Sequence, residues 1–75
     1  MLSPELLRMW FAGEHIPGVL FACNDAVVLK DDALGDRKGA VISLLAVGTE
    51  PTFLVELSDG TDVEVAQASL RHLLL

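Results

Sequence analysis

Residues 52–65 read TFLVELSDGTDVEV, and this stretch decides the fold because its alternation admits a single strand register. Successive side chains of a strand point to opposite sides, so Phe53, Val55 and Leu57 share one face, and Val63 and Val65 repeat the pattern after the turn. A two-residue loop at Asp59-Gly60 would set Leu57 opposite Asp62 and Val55 opposite Glu64, which puts carboxylates on the apolar face. A three-residue loop, Ser58-Asp59-Gly60, avoids this: a type I turn with Gly60 left-handed in a bulge pairs Val55 with Val63 and Phe53 with Val65. The same register sets Glu56 opposite Asp62, with Glu64 diagonal to Glu56. Like charges directly opposite cost roughly 0.2–1 kcal/mol. The acidic stripe Glu56, Asp62 and Glu64 therefore reads in two ways, as a solvated face or as a contact for a basic or cationic partner.

Upstream, Asn24-Asp25 introduces the β-branched run Ala26-Val27-Val28-Leu29-Lys30, and Asp31 to Lys38, with Gly35 inside, reads as a polar loop. Gly39 opens a further strand, Ala40 to Val47, whose apolar residues point both ways and imply burial on two sides. Gly48-Thr49-Glu50-Pro51 is a turn. Downstream, Ala66 to Ser69 is too short and polar for a full strand and suits one 3₁₀ turn. Leu70 to Leu73 makes a short last strand before the chain runs into Leu74-Leu75.

At the N-terminus Ser3 can cap free N–H groups, Pro4 loses nothing at the first helical position, and Glu5 meets the positive end of the dipole. A helix from Pro4 to about Ala12 follows, with Gly13 as its stop. Leu6, Leu7, Met9, Trp10 and Phe11 leave it almost no polar face, so it needs cover on more than one side. Pro17-Gly18 ends any helical reading, and Val19 to Ala22 is a short strand or a core-lining loop.

The totals bound the function. With 75 residues there is room for one core, and 52% hydrophobic residues with a mean hydropathy of +0.51 leave apolar surface outside it, which favours self-association or a protein partner. Leu6, Trp10, Phe11 and Leu74 are the candidate apolar contacts, and Glu56, Asp62 and Glu64 the candidate charged ones. Eleven acidic residues against five basic ones give a formal charge of −6, which repels phosphate backbones. Only Arg37 and Lys38 are adjacent among the basic residues, so nucleic acid is disfavoured as a partner. The uncharged apolar runs are far shorter than the ~20 residues of a membrane-spanning helix, and the N-terminus lacks the basic segment of a signal peptide. A single cysteine, Cys23, rules out an internal disulfide and suits a reducing cytoplasm.

No catalytic set emerges. Cys23, His15 and Asp25 are near in sequence and could make a thiol, a base and an orienting carboxylate, but Cys23 stands in an apolar run and reads as a packed thiol. His15 and His72 lack zinc-site spacing, and Asp31, Asp32 and Asp36 lack that of a calcium loop. The expectation is a non-enzymatic chain with no cofactor and no metal.

From Asp25 to Leu73 the succession DAVVLKDD, a Gly-containing loop, GAVISL, FLVELSDG, VEV and SLRHL resembles the small bacterial SH3-like barrel domains, relatives in shape of KOW and Tudor-type barrels. In that resemblance Val27 and Val28 mark the first strand, Gly39 and Val41 the second, Phe53, Val55 and Glu56 the third, and Leu70 the last. It implies a mainly β chain: a five-stranded SH3-like barrel over residues 25–75, carrying residues 1–24 as a helical extension packed on it, in one domain of residues 1–75. The excess of apolar residues on a short chain with no catalytic set, rather than the resemblance, points to a protein-interaction or regulatory module, acting as a homo-oligomer or as a subunit of a complex. The shape would also allow a nucleic-acid-associated barrel or one with a small-ligand pocket. The loop before Gly39 lacks the concentrated basic character of KOW segments.

Overall fold

A computed structural model of the chain describes residues 2–31, 33 and 35–73. It consists of helix α1 (Pro4–Phe11), strands β1 (Ala26–Leu29), β2 (Arg37–Ala46), β3 (Thr52–Leu57) and β4 (Asp62–Ala66), a 3₁₀ turn at Gln67–Ser69, and strand β5 (Leu70–His72). The strands form one antiparallel sheet in the order β4-β3-β2-β1-β5. The fold is thus mainly β, with a single N-terminal helix.

The helix begins as its sequence dictates. Ser3 is extended, and its Oγ accepts from the amide of Leu6 at 3.1 Å. It stops in a Schellman arrangement: Gly13, at φ +80°, donates to the carbonyl of Trp10, and Glu14 donates to that of Met9, both at 3.0 Å. This sharp stop turns the chain three residues after Trp10, whose ring packs beside that of Phe53 in the core. Trp10 is 2% exposed, and its indole Nε1–H donates to the carbonyl of Phe21 at 2.7 Å. Residues 19–22 are loop rather than strand, and Phe21 packs edge-on against Phe53 with ring centroids 5.6 Å apart.

The β3–β4 hairpin has the expected register, with Phe53 opposite Val65, Val55 opposite Val63 and Glu56 opposite Asp62. Gly60 sits at φ +89°, and its amide closes the turn onto the carbonyl of Leu57 at 2.9 Å. Val27, Val41, Leu44, Phe53 and Val55 form the core floor under Trp10, all of them buried. Val41 and Leu44 are three residues apart, an odd spacing for one face of a strand. The register shift in β2 between Val41 and Ser43 reconciles them, since the extra residue turns the strand by one position; a second shift follows between Leu44 and Ala46.

Most element ends fall within a residue of expectation, and the start of β2 differs by more. The loop after β1 ends at Asp36, and Arg37 and Lys38 belong to β2, opposite Leu29 and Val28. Gly39 therefore lies inside the strand instead of opening it. Pairing of Arg37 and Lys38 with β1 sets that boundary, and close approach explains the glycine: a Cβ on Gly39 would stand 2.6 Å from the carbonyl oxygen of Glu56 and 3.0 Å from Val55 Cγ1.

Candidate functional site

Alternation along the sheet defines an outer face, opposite the core, that carries Lys38, Ala40, Ala26, Val28, Arg71, Glu56, Asp62 and Glu64. Two neighbouring rows cross it. One runs Asp62, Glu56, Ala40, Ala26, and the other runs Lys38, Val28, Arg71. Residues far apart in sequence thereby meet: Val28, paired on both sides, sets Lys38 and Arg71 to its left and right. Val28 is only 5% exposed although it lies outside the main core cluster. The stems of long basic side chains can cover apolar surface in this way while their charges stay wet.

Around Val28 lies an open groove of about 590 Å³, lined by Val28, Asp36, Lys38, Arg71, His72 and Leu73. Arg71 Nη2 donates to Asp36 Oδ2 at 2.8 Å, and both side chains are about half exposed. Lys38 makes no ion pair among the described residues. His72 closes one end: its ring lies 4.6 Å from that of Phe21, and its Nδ1 is 3.9 Å from Asp25 Oδ2. The groove thus has an aliphatic floor, a cationic rim and one internal carboxylate. Such a lining suits an anionic group carried on a partly apolar partner.

The N-terminal layer offers a second surface. Among the described residues, Phe11, at 50% exposure, and Leu20, at 67%, are the large apolar side chains left wet. Each adjoins in sequence one end of the Trp10–Phe21 hydrogen bond, so the bond that seats the layer also fixes these two residues. Leu20 is further held by Gln67, whose Oε1 accepts from its amide at 2.8 Å and whose Nε2 donates to the Gly18 carbonyl at 3.0 Å. A depression of about 220 Å³ beside Trp10, Ile16 and Phe21 falls below the roughly 300–1,000 Å³ of small-molecule sites.

The residues singled out from sequence separate accordingly. Trp10 is buried in the core, Leu6 is half-buried against it, and Phe11 is exposed. Glu56, Asp62 and Glu64 stand together on the outer face, all exposed, while Leu74 lies outside the described residues. Arg37 and Lys38 point to opposite faces. Arg37 reaches Asp59 Oδ2 at 2.8 Å, so the chain's adjacent basic pair does not act as one patch. Asp59 itself is held below its ordinary pKa, first by the amide of Thr61 and also by the Thr61 hydroxyl and the Arg37 guanidinium.

Cys23 is half-buried against the core, and Asp25 accepts from the amide of Ala22 at 2.8 Å instead of addressing His15. Asp31 accepts from the amide of Ala33 at 2.9 Å, and Asp32 lies outside the described residues. Among the described residues no group of three His, Cys, Asp or Glu side chains is placed to hold a metal ion. No described helix is long and apolar enough to cross a membrane. The groove was not readable from sequence because the pairing of β1 with β5 joins segments some forty residues apart. Leu20 was hidden inside an apolar run. No family model, no curated protein and no solved structure matches the chain.

Proposed function

We propose that the chain is a non-catalytic protein-interaction module of the cytoplasm, built on an SH3-like barrel and docking through Phe11 and Leu20. The strand order β4-β3-β2-β1-β5, with a 3₁₀ turn between β4 and β5, supports the barrel reading. What carries the docking reading is the exposure of Phe11 and Leu20, at 50% and 67%, on a layer pinned by the buried Trp10–Phe21 hydrogen bond. Covering them would gain about 1–2 kcal/mol apiece. Because the backbone beneath is already fixed, little of that gain goes into ordering the surface.

A nucleic-acid role has less support. The charge of −6 opposes it, and Arg37 and Lys38 lie on opposite faces of β2.

The test is photo-crosslinking in the native cell, with a photoreactive residue placed at position 11 or 20 and, as a control, at the exposed Ser58. Discrete protein adducts from positions 11 and 20 and none from 58 are expected. Equal yields from all three, or none from any, would overturn the reading.

A further inference from the structure

We infer that the outer face of the sheet is a two-fold interface between copies of this chain, the acidic pole of each seated on the basic-rimmed groove of the other. The face carries both halves of such a contact. Glu56, Asp62 and Glu64 occupy its β3–β4 side, while Lys38 and Arg71 flank Val28 on the other. Between the poles lie Ala40 and Ala26, paired across β2 and β1. A half-turn about an axis in the interface above these alanines sets each acidic pole against the other copy's groove. Both contacts then form at once, as an isologous dimer requires, and the small side chains permit close approach at the axis.

Charge decides whether a copy of this chain is an admissible occupant. Each chain is formally −6, so two copies repel at long range. At physiological salt the screening length is about 8 Å, which mutes that repulsion while adjacent opposite charges still interact. Lys38 has no ion pair among the described residues. Arg71 is bound by Asp36 through one nitrogen, and a guanidinium has donors to spare. The acidic pole has the opposite imbalance, since Glu56 faces Asp62 across the strand pair. Docking relieves both.

Size sets the strength. Five strands about 4.8 Å apart and some five residues long give a footprint of at most about 400 Å², since a sheet that curls presents only part of its outer side to a partner. That is about half the ~800 Å² per partner of a standard interface, so a weak, transient dimer is expected.

The experiment is a charge swap read by sedimentation equilibrium up to about 1 mM. Lys38→Glu with Arg71→Glu makes the face wholly acidic, and Glu56→Lys with Glu64→Lys makes it mainly basic. Each variant alone should self-associate at least roughly tenfold more weakly than the wild type. Mixed one to one, they should restore a heterodimer, a positive result that needs both variants folded.

Four outcomes would overturn the inference: a wild type monomeric throughout, a mixture that stays monomeric, a Glu56→Lys/Glu64→Lys variant that dimerises as well as the wild type because its net charge is lower, or a monomeric chain whose groove takes a polyacidic peptide or an oligonucleotide. The interface is independent of the N-terminal layer. Phe11→Ser with Leu20→Ser should leave the dimer intact, and loss of the dimer in that variant would also overturn the inference.

Discussion

Gly39 and Trp10 each carry more of the structure than their neighbours do. A methyl group on Gly39 would press into the Glu56 carbonyl at 2.6 Å, and that atom is backbone, so β2 and β3 must part. Gly39→Ala is expected to cost about 1–3 kcal/mol. Urea unfolding checks it, and an unchanged midpoint would show that the strands are not so close. Trp10→Phe keeps an aromatic ring but removes the indole donor from the buried Phe21 carbonyl. A loss of about 1–3 kcal/mol is expected by the same measurement, and a neutral result would mean that this bond does not seat the helix. Asp59 gives a pH dependence. Its folded pKa lies below the ordinary 3.8, so it adds stability above that value and loses it as acid protonates the folded form. Asp59→Asn should therefore narrow the stability difference between pH 6 and pH 3. A variant with the wild-type slope would contradict this.

Among the elements, the β3–β4 hairpin tests the balance between packing and charge. Its apolar side requires the register that brings Glu56 and Asp62 face to face, and burial of Phe53, Val55 and Leu57 outweighs a repulsion of roughly 0.2–1 kcal/mol. Asp62→Lys should accordingly raise the unfolding midpoint slightly at low salt, and the gain should shrink in 0.5 M NaCl. A loss of stability would place Asp62 elsewhere. This hairpin was legible in the sequence because period-two alternation and a turn glycine leave one solution. Helix α1 was equally legible from Ser3, Pro4 and Gly13. The start of β2 was not, because Arg37 and Lys38 look like loop residues until pairing with Leu29 and Val28 gives them strand partners. Local chemistry fixes caps and turns, whereas strand ends are fixed by what lies alongside.

At the scale of the whole molecule the same distinction governs function. The acidic stripe could be read from one hairpin, but the groove that complements it depends on β1 lying between β2 and β5, a relation no local pattern encodes. The sheet sorts a sequence of scattered charges into two poles of one face, and α1 leaves Phe11 exposed while it buries Trp10. Groove and poles alike depend on Val28 standing between Lys38 and Arg71. Isotope-edited NOE spectroscopy of the labelled chain tests it most directly. Cross-strand backbone contacts from Val28 to both Lys38 and Arg71 are predicted. Contacts from Arg71 to β4 instead, or from Val28 to neither residue, would contradict the sheet order and, with it, the groove.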